Sequence, residues 1–236
     1  MPEQLRISVS WLDSYEYWLK SEGVTEQEFI DDLFGFTGNP ATRAGTAWHS
    51  VLEHASEGLD LSQPIELDGH KFSLIDDLEG DIELGHMREL KYTVPVLPDV
   101  TLVGKLDAET IDTVIDHKLT ARIDVDRYMD SMQWRAYLMM RGKPKFKYQL
   151  FRHTGLNQNG STTEIKVVEY LELSMAAYSG MADDVIECVN GLANILWRNY
   201  PAYLDYRARR DAEFKQTQNI SDAIDLDRHE NLWGRA

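Results

Sequence analysis

Apolar positions along the chain change period in a way that separates helices from strands. Trp11, Leu12, Tyr15, Trp18 and Leu19 fall at helical spacing, and Ser10 is placed to cap that helix. A second helix is expected over Thr25–Leu33, where Thr25 and Glu28 fit a capping box, with Gly38-Asn39-Pro40 breaking the chain after it. A third starts near Thr42 and ends before Gly58; its His49 and Glu53, four apart, stack on one face. Residues 59–90 hold no sustained period, and only a short hairpin around Asp68-Gly69 is suggested. Strands are then expected over Lys91–Leu97, Thr101–Glu109 and Thr113–Leu119, followed by a helix over Asp126–Arg141 that Gly142 and Pro144 stop. Lys145–His153 and Thr163–Leu173 alternate as strands around a polar Gly155–Gly160 turn. Ser174–Asn199 reads as the longest helix, with Val185, Val189, Leu192 and Leu196 as its buried stripe, and the tail after Pro201 begins helical.

This order predicts an α/β fold, a central mixed β-sheet flanked by helices, in one domain over residues 1–236. Within it, 1–44 is an N-terminal helical region, 45–200 the core and 201–236 a helical tail. Composition narrows the class. With 236 residues, 43% hydrophobic, the chain can bury a substantial core. No apolar run approaches the ~18 residues of a membrane span, and the opening Met-Pro-Glu-Gln-Leu-Arg lacks the regions of a signal peptide. Cys188 stands alone, which excludes an internal disulfide framework and any multi-cysteine zinc or iron–sulfur site. A cytoplasmic protein with no membrane contact is expected. The net charge of −16 argues against a broad nucleic-acid-binding surface, though a local basic groove is compatible with it.

The candidate chemistry lies between Val103 and Thr120. Asp116 and Lys118 are two apart on one strand and project from the same side. A hairpin turning at Thr110–Thr113 places Asp107 across from Asp116. Like charges opposite each other on a sheet are destabilising, so the patch calls for a cation. Hard divalent ions such as Mg²⁺ take one or two carboxylates and keep waters; His49 could add a nitrogen ligand that Mn²⁺ tolerates. An Asp-x-Lys pair alone usually marks a solvated strand face. Here Val114-Ile115 precede it, an apolar stretch expected in a sheet interior.

Gly45-x-x-x-His49, Gly104-x-x-Asp107, Asp116-x-Lys118 and Gln133-x-x-x-Tyr137 resemble, in order, the motif series of RecB-type nucleases of the PD-(D/E)XK superfamily. The resemblance covers residues 45–141 and, more loosely, Ser8-Val9-Ser10-Trp11. It implies a restriction-endonuclease-like αβββαβ core and a metal held by His49, Asp107, Asp116 and the backbone carbonyl of His117. Lys118 would be the catalytic lysine, with Gln133 and Tyr137 orienting it, the metal's water or a substrate phosphate. Glu53 is the candidate to hold a second metal through water, against the plain alternative of a surface glutamate. Many relatives bind an iron–sulfur cluster; the lone Cys188 predicts none here.

The expected activity is a Mg²⁺- or Mn²⁺-dependent DNA exonuclease of recombination, repair or end processing, stand-alone and phage-like, working in a bacterial host's cytoplasm. An endonuclease of the same chemistry and a non-catalytic binding module on the same fold are the alternatives. DNA is the expected partner, with a homo-oligomer and a recombination or single-strand-annealing protein as further candidates. Ser10, Arg43, Lys105, Arg122, Arg127 and Arg135 are the first candidates for phosphate contacts. Trp48 or Trp134 could stack on an unpaired base.

Overall fold

The computed structural model describes residues 4–75, 82–156 and 164–233. Its strands are β1 (Leu5–Ser8), β2 (Ile65–Leu67), β3 (His70–Leu74), β4 (Met87–Leu97), β5 (Val100–Glu109), β6 (Thr113–Thr120), β7 (Lys145–Thr154) and β8 (Ile165–Ala176). Its helices are α1 (Val9–Lys20), α2 (Glu26–Gly35), α3 (Pro40–Ser56), α4 (Val125–Asp130), α5 (Met132–Arg141), α6 (Met181–Arg198) and α7 (Tyr200–Trp233). All eight strands form one mixed sheet in the order β1-β5-β6-β7-β8-β3-β2, with β4 also paired to β5. A central mixed sheet flanked by helices is therefore what this sequence folds into.

The apolar residues divide into two cores, one on each face of the sheet. On one side α1, α5 and α6 pack over Leu102, Leu106, Val114, Phe146, Tyr148 and Leu150. The expected α6 stripe is there, with Val185, Val189, Leu192 and Leu196 fully buried. On the other side α3 lays Ala44, Ala47, Trp48, Val51 and Leu52 against Phe72, Phe151, Ile165 and Val167. Burying five apolar side chains along one face is what holds α3 to the sheet and leaves His49 and Glu53 at its rim.

Several boundaries differ from the periodicity. A short strand precedes α1: Leu5–Ser8 pairs in parallel with Val100–Val103, so α1 starts two residues earlier than expected, after Ser8 rather than Ser10. The expected helix over 126–141 is two helices meeting at Ser131, because that hydroxyl and Asp13 from α1 take up the first amides of a fresh helix. β8 continues to Ala176 in a long ladder with β7, which delays α6 to Met181 and leaves α7 as the longest helix. The Asp68-Gly69 hairpin forms, both residues having positive φ (50° and 75°), as a tight two-residue turn demands. The Gly155–Gly160 turn lies largely outside the described residues.

One topological detail creates the site. Along one edge, β5 pairs with β1 only through Val103 and with β6 only at Ala108 and Glu109. Residues 104–107 between them have no strand partner on that side. Their backbone needs are met by side chains instead: Tyr137 Oη donates to the Lys105 carbonyl at 2.8 Å. Across the gap the His117 N–H donates to Asp107 Oδ2 at 2.8 Å.

Candidate metal and phosphate site

The hairpin from β5 to β6 turns at Thr110–Thr113, where the Thr110 N–H donates to the Thr113 carbonyl at 2.9 Å. Its pairs Ala108↔Ile115 and Glu109↔Val114 set the register that, continued, opposes Asp107 to Asp116. The ladder stops at that point. Beyond it the strands part, and both buried carboxylates lie in the parted segment.

Asp107 is 7% exposed, and both of its oxygens are engaged: Oδ1 lies 3.0 Å from His49 Nδ1 and Oδ2 accepts the His117 amide. Burial alone would raise its carboxyl, but the His49 imidazole and the Lys118 ammonium outweigh burial and hold it well below the usual carboxylate range. Asp116 is 2% exposed, with Lys118 Nζ 2.7 Å from Oδ2 and Gln133 Nε2 donating to Oδ1 at 3.3 Å. Burial pushes its carboxyl up to about 6, Lys118 opposing and Asp107 reinforcing the rise. Burial works against the Lys118 charge, yet Asp116 and Asp107 together raise its pKa. The ammonium therefore stays protonated.

Each of these side chains is set by the local fold. Asn39 caps α3 through its side chain, accepting the Thr42 amide at 2.9 Å, and Pro40 opens the first turn. That fixes the rotation of α3 and the position of His49. α5 is held by Asp13, whose Oδ1 accepts the amides of Met132 (2.7 Å) and Gln133 (3.2 Å) and whose Oδ2 accepts the Ser131 hydroxyl (2.7 Å). Asp13 thus presents Gln133 to Asp116. Nothing in its spacing to the motifs distinguishes it, although a carboxylate four residues before Tyr17 on an amphipathic helix is an ordinary sight. Gly104 lies under Tyr137; a Cβ there would come 2.5 Å from the ring and 3.1 Å from Val9. Tyr137 acts through this contact and its bond to the Lys105 carbonyl, so it positions β5.

His117 occupies the other face, as its place between Asp116 and Lys118 predicts. Its ring is fully buried near Phe151, with Nε2 3.3 Å from the Glu83 carbonyl, and burial lowers its pKa to about 4. The imidazole is neutral, and its ring lies edge-on to that of His49 with centroids 6.4 Å apart. Cys188 is 4% exposed, and burial, with Glu16 beside it, pushes the thiol up to about 12, which makes it inert.

Two clefts open from the gap. One, of about 340 Å³, is lined by Gly45, Thr46, His49, Glu53, Glu89 and Asp107 among others. The other, of about 430 Å³, is lined by Ser8, Ser10, Lys91, Lys105, Tyr137 and Arg210, with no acidic side chain among its described lining. Lys105 borders both. Arg43, Arg122 and Arg127 are exposed and line neither cleft. Arg135 is committed elsewhere: its guanidinium donates to the carbonyls of Asp130 and Ser131 and to the Tyr178 hydroxyl, bracing the α4–α5 break. Neither tryptophan is placed to meet a base. Trp48 is fully buried against Phe72 and Phe151, and Trp134 is 5% exposed with its indole N–H on the Met129 carbonyl.

The residue that sequence reasoning missed is Glu89. Its carboxylate, His49 and Asp107 offer ligand atoms that all lie within 4.8 Å of one another. It sits in the acidic stretch 59–90, which has no period to read.

Among the described residues no helix is long and apolar enough to cross a membrane. No family model matches the sequence, and no curated protein matches it. Similar solved structures include a phage related exonuclease from Haemophilus somnus 129PT, at 12% identity and a TM-score of 0.48, covering 81% of this chain and 93% of that one. An alkaline exonuclease, LHK-Exo, from Laribacter hongkongensis is 11% identical with a TM-score of 0.47, covering 89% of this chain and 94% of that one. Its complex with dAMP is similar at 11% identity and a TM-score of 0.44, over 88% of this chain and 94% of that one.

Proposed function

We propose that the chain is a divalent-metal-dependent deoxyribonuclease, and that it degrades DNA from ends. The observation that carries this reading is that two pairs, His49–Asp107 and Asp116–Lys118, have their buried carboxylates on the two strands that part beyond the Ala108↔Ile115 pair. A purely structural cluster would not need two carboxylates in a sheet interior, or a lysine whose side chain, 28% exposed, is paired with one of them.

The donor set fits a hard divalent cation. Two adjacent ligands on an octahedral ion with bonds of ~2.1 Å lie about 3.0 Å apart, and His49 Nδ1 and Asp107 Oδ1 are 3.0 Å apart. Asp116 and the His117 carbonyl are the further protein ligands we assign, with Glu53 acting through water. Such an ion, when bound, polarises a phosphate oxygen and lowers the pKa of its water.

The protein's own groups then have separable tasks. Lys118, held charged by Asp116 and Asp107, cannot serve as a base. Its ammonium donates to the phosphoryl oxygens as negative charge grows there, and orients the attacking water. Gln133 holds the Asp116 carboxylate in place from α5. Tyr137 and Gly104 keep in position the segment of β5 that has a strand partner on one side only. Lys91, Lys105 and Arg210, with the hydroxyls of Ser8 and Ser10, offer phosphate contacts along the strand that leads into the site. This basic cleft on a chain of net charge −16 reconciles acidity with a DNA substrate. Arg43, Arg122 and Arg127 would extend it, and a second copy of the chain would enclose a duplex. A bacterial cytoplasm, a phage origin and a recombination or annealing partner complete the reading.

The test is incubation of the folded chain with end-labelled linear DNA and covalently closed circular DNA in Mn²⁺ or Mg²⁺. Loss of linear DNA with circles intact is the expected result. Cutting of circles would establish the endonuclease alternative, and no cleavage of either by folded protein would refute the reading.

A further inference from the structure

Glu89 has no role in the scheme above, yet its placement is specific. The pairs Arg88↔Ala108 and Leu90↔Leu106 bracket it, so β4 carries Glu89 opposite Asp107. Its φ of 54° breaks the alternation of β4 and aims the carboxylate toward Asp107 and His49. Lys105 forms an ion pair with it.

We propose that Glu89 is a third protein ligand of the cation held by His49 and Asp107, and that Lys105 competes with that cation for its carboxylate. The inference rests on the metal reading of the site and assigns a ligand from a strand that no motif covers. Three arguments support it. The three ligand atoms lie within 4.8 Å of one another, close to the range of about 3.0–4.2 Å that separates ligands on one octahedral ion with ~2.1 Å bonds. Asp107 Oδ1 already lies 3.0 Å from His49 Nδ1, and a second carboxylate brought to the same pair calls for positive charge among the three. Lys105 is a weak answer to that need: its side chain is 63% exposed, whereas that of Glu89 is 19% exposed, and an ion pair to a long exposed lysine contributes little. Glu89, Asp107 and His49 together would hold a divalent ion whose charge offsets both carboxylates, and Glu89 would then no longer need the Lys105 ammonium.

The consequence reaches the neighbouring cleft. Lys105 borders it with Ser8, Ser10, Lys91 and Arg210, so an ammonium displaced from Glu89 turns toward those groups. Metal binding would then add a positive charge to the surface proposed for DNA phosphates.

Calorimetric titration of the purified chain with Mn²⁺ alone tests this without any cleavage. Glu89→Gln, which keeps size and hydrogen bonding, is expected to weaken Mn²⁺ binding by about tenfold or more. Lys105→Met, which removes the competitor and keeps the apolar stem, is expected to tighten it several-fold. Thermal melting without metal checks that each variant is folded; should Glu89→Gln be unfolded, Lys105→Met reads the same carboxylate. Unchanged affinity in folded Glu89→Gln, or unchanged or weaker affinity in Lys105→Met, would overturn the proposal. Wild-type binding that Glu89→Gln loses, in a chain that cuts no DNA, would support this assignment while refuting the nuclease reading. No Mn²⁺ binding by the wild type would overturn both.

Discussion

Gly104→Ala introduces one methyl group where β5, paired with β4 on one side, has no strand partner on the other. The new Cβ would lie 2.5 Å from Tyr137 Cε1 and 3.1 Å from Val9 Cγ2. Carbon atoms pack best at about 3.5–4.0 Å, so the ring must retreat by about 1 Å. It has nowhere to go. Tyr137 is 5% exposed, its hydroxyl donates to the Lys105 carbonyl at 2.8 Å, and its ring is stacked on Phe146 at 6.5 Å between centroids. Overpacking a core of this kind costs about 1–3 kcal/mol, and losing the hydrogen bond adds about 1 kcal/mol. A destabilisation of about 2–4 kcal/mol follows, read as a fall of about 1 M in the urea midpoint at unchanged slope. Cleavage should fall by about 100-fold even where the protein is folded, because the same shift moves Lys105–Asp107. Tyr137→Leu in the Gly104→Ala background should recover much of the stability, as a double-mutant cycle would register. Stability of Gly104→Ala within about 0.5 kcal/mol of wild type, or a penalty that Tyr137→Leu does not relieve, would refute this account of the glycine.

Asp13→Ala removes the acceptor of three hydrogen bonds at the start of α5; a loss of about 1–2 kcal/mol in chemical denaturation is expected, with reduced cleavage as Gln133 loosens. Glu109→Gln should cost about 3 kcal/mol in the same assay, since it leaves Arg141, which meets both carboxylate oxygens at 2.8 Å, and the nearby Lys143 without their buried counter-charge. Asp116 titrates near 6 in the fold and near 3.8 when unfolded, so between those values the native state binds the extra proton. Stability without metal should therefore fall by on the order of 1–3 kcal/mol as pH rises through that window, and Asp116→Asn should flatten the profile. Excess chelator should abolish cleavage, and added Mn²⁺ should restore it.

How much could be read before folding differs from element to element. The register of the β5–β6 hairpin, Ala108 against Ile115 and Glu109 against Val114, was legible because a tight turn fixes it by a purely local rule. The half-exposed rim of α3 was legible for the same reason, His49 and Glu53 following from a 3.6-residue period. The gap in β5 was not, because it depends on β1 ending at Ser8 and β6 splaying beyond Ile115, contacts distant in sequence. Glu89 was hidden by the same non-locality, compounded by a positive φ that no alternation pattern anticipates. The two helices meeting at Ser131 looked continuous because only Asp13, 118 residues earlier, reveals the second start. Arg135 shows how charge alone misleads: it was a plausible phosphate contact by position, and the fold uses its guanidinium to satisfy carbonyls.

In the proposed mechanism Lys118, kept charged by Asp116 and Asp107, is indispensable to hydrolysis. Initial rates of Mn²⁺-dependent degradation of end-labelled linear DNA, measured for wild type and Lys118→Ala with matched thermal melts, test it most directly. A loss of at least about 1,000-fold is expected in the folded variant. A folded Lys118→Ala that degrades DNA at the wild-type rate would contradict it.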